Sequence, residues 1–170
     1  MTTLDRADVW QLLVGFDAAA NDFFEAFAVV PDTALAFRPE GDDYALSGLL
    51  IHVAGGLEFY GDVLAQMIAT DFEPLTASGA PHPRDIALAH EGIPAVERAS
   101  TIARVRAAHE RVAKQAELTG DVHRTAEVRF GEGADPLSTS AADIVGWMRE
   151  HYREHIPHID ELLTGWRNTE

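Results

Sequence analysis

Apolar residues recur with a helical period along four stretches of the chain, and segments rich in glycine, proline and aspartate separate them. The first stretch runs from about Leu4 to Val29, places Trp10, Leu13, Phe16, Ala20, Phe24 and Phe27 on one stripe, and ends at Pro31. The polar segment FRPEGDDY connects it to a second helix, from about Ala45 to Ala69, which closes near Asp71 and Pro74. A long segment holding Gly79, Pro81, Pro83, Gly92 and Pro94 follows and reads as a loop. Loops of that length in a compact domain usually cover something, so this one is expected to border a pocket. A third helix runs from about Ala95 to Leu118 and stops at Gly120. The segment VHRTAEVRF alternates weakly and predicts a short strand or extended crossover. Ser140 followed by Asp143 then marks the start of a fourth helix, which continues to about Trp166. The pattern predicts one all-α domain over residues 1–170, a four-helix bundle with a short extended crossover before its last helix.

Composition narrows the function classes. A chain of 170 residues can bury a sizeable core, and the absence of cysteine removes thiolate nucleophiles, cysteine-type zinc sites and disulfides. With 28 acidic against 13 basic residues the formal charge is −15, which repels phosphate backbones and anionic lipid. Nucleic acid and membrane surfaces are therefore not expected partners. No apolar run reaches the roughly 18 residues of a membrane span. The opening MTTLDRADVWQLLVGF lacks a basic region followed by an unbroken apolar core, so a cytoplasmic protein is expected.

The candidate chemistry lies in His52, His151 and His155. On a helical wheel with His151 at zero, Ile144, Trp147, Met148, His155, His158, Leu162 and Trp166 all fall within about 60°. Arg149, Arg153, Asp160 and Arg167 fall on the opposite side. On the second helix, Leu49, Gly56, Phe59, Val63 and Met67 lie within about 60° of His52. Two imidazoles four residues apart on one helix can converge on one metal, and a third from a facing helix completes three neutral nitrogen ligands with positions left open. Gly55 and Gly56 remove side-chain bulk beside His52 and would leave room for a ligand or a close helix. Eight histidines in the chain yield about 0.3 such i, i+4 pairs by chance, so spacing alone also allows core histidines satisfied by a carbonyl or carboxylate. Burying several without a shared purpose is costly. His109 is a candidate pocket residue and His158 a candidate support for the ligands. His82, His90 and His123 read as surface residues.

Two segments carry a family resemblance. YALSGLLIHVAGGLEFYGDVL resembles the second-helix motif of DinB-like (YfiT-like) proteins, in which an aromatic precedes a metal-binding histidine by eight residues, as Tyr44 precedes His52. SAADIVGWMREHYREHIPHIDELL resembles that family's fourth-helix HxxxH motif, matched by His151 and His155. Tyr44 and Ala45 stand where the family often has tryptophan and then serine or threonine, and His158 stands where it often has glutamine. The resemblance implies an up-down-down-up bundle, a homodimer, and a divalent metal held by His52, His151 and His155. Zinc or nickel is the first choice, with iron, manganese or copper as alternatives; zinc, nickel, iron(II) and copper all accept imidazole. It further implies a metal-dependent thiol S-transferase acting on small electrophiles, with a low-molecular-weight thiol as cosubstrate. Tyr60, His109 and Arg106 are then candidates for the pocket wall, and no general base is identified. Two alternatives stay open. One is a non-enzymatic metal- or small-molecule-binding bundle of the stress-response kind. The other is metal-assisted hydrolysis, with Glu154 as the nearest carboxylate.

Overall fold

The computed structural model describes residues 3–169. Among them run, in order, α1 (Thr3–Ala28), α2 (Gly48–Ala69), β1 (Leu75–Ala77), α3 (Pro83–Glu91), α4 (Arg98–Leu118), β2 (Thr125–Phe130), β3 (Leu137–Ser140) and α5 (Ala141–Arg167). The chain is mostly helical, with a small three-stranded sheet. α1 lies against α5 and α2 against α4, and α2 also meets α5, so the two pairs share one core.

α5 buries two faces because it has two partners. Val145, Tyr152, Ile159 and Leu163 are buried along one stripe, and the Tyr152 ring packs against Phe16 and Phe23 of α1 at centroid distances of 5.9 and 5.4 Å. Ile144, Met148, His155 and Leu162 form the other, about 70° away, where His151 and His155 meet His52 of α2. The start of α5 is fixed by a reciprocal cap: Ser140 Oγ accepts the Asp143 N–H at 3.1 Å, and the Asp143 carboxylate accepts the Ser140 N–H at 2.9 Å. The helix continues through Pro157.

Three expectations need correction. The fold is not purely helical: the presumed crossover is the central strand β2, parallel to β1 and antiparallel to β3, with Val128 paired to Leu75 on one side and to Leu137 on the other. Its weak alternation is real, since Ala126 and Val128 point inward between exposed neighbours. The expected long loop contains β1 and α3. No residue of α3 is fully buried; Leu88 and Ala89 pack half-buried against the core, and polar ties hold the segment as well. The Ala45 N–H donates to the Ala89 carbonyl at 2.9 Å, and Ser47 Oγ donates to the Leu35 carbonyl while accepting the Ile93 N–H. Gly48 permits this approach, because a Cβ there would collide with the Ala89 carbonyl. Finally, α1 faces the core with Val9, Phe16, Ala20, Phe23 and Phe27, whereas Trp10 is 66% exposed and Phe24 lies half-buried under the Arg106 guanidinium. Apolar residues occur on several sides of α1, and the wheel alone could not choose the side that the aromatic ring of Tyr152 selects.

Candidate metal centre

His52 sits in the second turn of α2, and α5, with Tyr152 packed on Phe16 and Phe23 of α1, turns His151 and His155 toward it. The three ring centroids are 4.7 Å (His52–His151), 5.0 Å (His52–His155) and 4.7 Å (His151–His155) apart, nearly an equilateral triangle. Interplanar angles of 61°, 90° and 84° place the rings edge-on to one another. That suits convergence, because an imidazole's lone pair lies in its ring plane. One nitrogen from each ring lies within 4.8 Å of the other two. A metal at roughly 2.0–2.1 Å from each would hold them about 3.3 Å apart, so the rings would draw together on binding it.

The donor atoms distinguish the two readings of these histidines. His151 Nε2 and both nitrogens of His155 are buried, and among the described residues no group hydrogen-bonds to them. A structural core histidine would be satisfied by a carbonyl or carboxylate, because an unmade hydrogen bond costs about 1–3 kcal/mol. Nitrogens that are buried, convergent and unpartnered are what a metal ligand set requires. Burial also keeps the rings neutral. Burial, and then the neighbouring His151 and His158, push His52 down to about 4. Burial and then His151, His52 and His158 push His155 down to about 3, and burial alone lowers His151. Neutral imidazole is the form that binds metal. The three histidines could hold a metal ion, and the geometry does not choose which.

Asp42 and His158 brace this cluster. His158, one turn beyond His155, meets Asp42 Oδ2 through Nε2 at 3.1 Å. Asp42 Oδ1 accepts the Tyr44 N–H at 3.0 Å, and the Tyr44 ring lies on His52 at 4.5 Å with a 32° tilt. Burial raises Asp42, but the Tyr44 N–H and His158 outweigh it and hold its carboxyl below the usual range. Asp42 was invisible as a site residue in the sequence, where it is one of several acids in a polar connection.

A cavity of about 770 Å³ opens beside His52. α2 forms one wall and the 77–90 segment faces it, so the expectation that this segment borders a pocket holds although it is not a loop. Gly55 lies on the cavity surface with no atom within 4 Å of where a Cβ would stand, while a Cβ on Gly56 would point at His151 Nε2, 3.5 Å away. Of the three histidines His52 alone lines the cavity, and Gly56 lies between the cavity surface and His151. Arg104 of α4 lies in the wall. Its guanidinium forms two bonds to Glu58 (both 2.7 Å) and two to Asp85 (3.0 and 2.8 Å), tying α3 to α2 and α4. The Arg104 bonds, opposed by burial, hold the Asp85 carboxyl below its ordinary value.

The other candidates fall elsewhere. His109 does not line the cavity; it stacks on Phe16 at 4.0 Å and bridges Asp17 (2.8 Å) to the Tyr152 hydroxyl (3.2 Å). Tyr60 packs among Phe59, Phe130 and Trp147, and Arg106 covers Phe24, so neither is in the wall. Glu154 is exposed, and its arginine neighbours Arg149 and Arg153 pair with Glu150. His82, His90 and His123 are exposed as expected, but His82 and His90 also line the cavity, and His82 Nδ1 caps α3. Among the described residues no helix is long and apolar enough to cross a membrane. Comparison of the chain with protein-family models, curated proteins and solved structures gives no match.

Proposed function

We propose that the chain is a divalent-metal-binding protein of the DinB-like kind, with His52, His151 and His155 as ligands and thiol S-transfer to small electrophiles as its activity. The observation that carries the reading is the convergence of three imidazoles whose buried nitrogens include three without a hydrogen-bond partner. The pairing of α1 with α5 and of α2 with α4, bridged through α2 and α5, supports an up-down-down-up bundle as the underlying topology. A cytoplasmic setting and a second copy of the chain as partner belong to the same proposal.

A metal at this site supplies Lewis acidity, which lowers the pKa of a thiol and raises its thiolate fraction at neutral pH. The protein's own contribution is threefold. Its three ligands are neutral and leave the metal's charge undiminished. Tyr44 covers one face of His52 and, through Asp42, is fixed to α5. The cavity beside His52 holds the organic reactant near the cluster and out of bulk water. The test is the rate at which zinc- or nickel-loaded protein consumes 1-chloro-2,4-dinitrobenzene with a panel of small thiols. The reading predicts acceleration over the uncatalysed rate, lost in the His52→Ala/His151→Ala/His155→Ala variant. Metal bound at unit stoichiometry without acceleration for any thiol would contradict transfer and leave a metal-binding protein.

A further inference from the structure

The cavity is large enough for an organic ligand, and the charges in its wall say which kind. Its apolar surface comes from residues such as Ile51, Phe59, Val63 and Ile86. Its formal charges are four carboxylates, Asp43, Glu58, Asp62 and Asp85, against one guanidinium, Arg104. That guanidinium is not free to receive an anion, because its four hydrogen bonds all go to Glu58 and Asp85. Two carboxylates share one positive charge, so the ion network itself is net negative. Arg111 neutralises Asp62 from outside the wall, and the carboxylates still outnumber the cation. Low-dielectric walls focus such a field into the cavity, where it attracts cations and repels anions. Tyr44 and Phe59 add aromatic surface to the lining.

We infer that the cavity beside His52 takes a ligand with an apolar body and a cationic amine, and rejects carboxylated or phosphorylated compounds. This inference rests on the reading above, in which that cavity receives the organic reactant. It narrows the reactant class by charge. Arg104 sets the selectivity in a testable way: while Glu58 and Asp85 hold it, the wall is negative, and without them the same arginine would become an anion site.

The experiment is titration calorimetry with three probes of one shape, 2-naphthylmethylamine, 2-naphthalenemethanol and 2-naphthylacetate, on protein stripped of metal and at low salt. Working without metal keeps coordination of the carboxylate or amine from masking the wall, and elemental analysis of the untreated protein reports on the metal reading separately. The amine should bind at least tenfold more tightly than the carboxylate, with the alcohol between, and the ratio should shrink as salt is raised. Gly55→Trp, which places an indole where nothing lies within 4 Å of the Cβ position, should weaken all three probes at least tenfold without loss of helix signal. Glu58→Gln with Asp85→Asn should reverse the preference toward 2-naphthylacetate. If that variant does not fold, Asp43→Asn with Asp62→Asn, both at exposed positions, must still narrow the ratio at least threefold. Equal binding of amine and carboxylate, a preference for the carboxylate in the parent protein, no binding of any probe, or binding indifferent to Gly55→Trp would each overturn the inference. A normal metal content beside any of these results would leave the metal reading standing.

Discussion

His155 is where function and stability part at the scale of one residue. Both of its ring nitrogens are buried without a partner, so in metal-free protein the side chain is a liability. Replacing it with leucine, which needs no hydrogen bond, should raise the stability of metal-free protein by about 1–2 kcal/mol in urea denaturation while lowering metal affinity. A loss of stability on this change would mean that His155 has a partner the geometry does not reveal. The pH dependence has a definite sign. Folding lowers His52 to about 4 and His155 to about 3 from the ordinary 6.5, so the unfolded chain takes up protons first as pH falls. Metal-free protein should therefore keep its full stability above pH 6.5 and lose it progressively between 6.5 and about 3. The urea midpoint followed from pH 7 downward measures this, and His155→Leu should flatten the slope. A midpoint that is flat, or that rises with acid, would contradict the burial of neutral imidazoles. The three clustered histidines were legible because HxxxH and wheel position are local properties of a helix. Asp42 was not, because its role exists only once the loop before α2 meets His158 on α5.

At the scale of elements, the four long helices were legible from period and caps, and α5 most clearly, since Ser140 and Asp143 state its first turn outright. Two kinds of element were not. β3 is the four-residue LSTS, whose polar sequence carries no strand signal and which is extended because β2 pairs with it. α3 lies between prolines and glycines that read as loop, and it is helical with Pro83 in its first turn and His82 as cap. On α1, Trp10, 66% exposed, and Val14, 45% exposed, lie one turn apart on the outside of the helix, because apolar residues occur on more than one of its sides and period alone does not say which side meets α5.

At the scale of the whole molecule, the histidine cluster lies at the junction of the two helix pairs. The α1–α5 pair brings two histidines, the α2–α4 pair brings the third, and the contact of α2 with α5 closes the triangle. The cavity lies on the α2 side, roofed by the segment that β1 pins to the sheet and that Asp85 pins to Arg104. Small reorientations of the helix pairs would change the spacing of the ligands, which gives the ties between elements a functional weight. Elemental analysis of purified, tag-free protein, beside the His52→Ala/His151→Ala/His155→Ala variant, tests metal binding by the histidine triangle most directly. Close to one divalent metal per chain is expected in the parent and almost none in a variant that keeps its helix content. The same metal content in both, or none in the parent even after incubation with zinc and nickel, would contradict it.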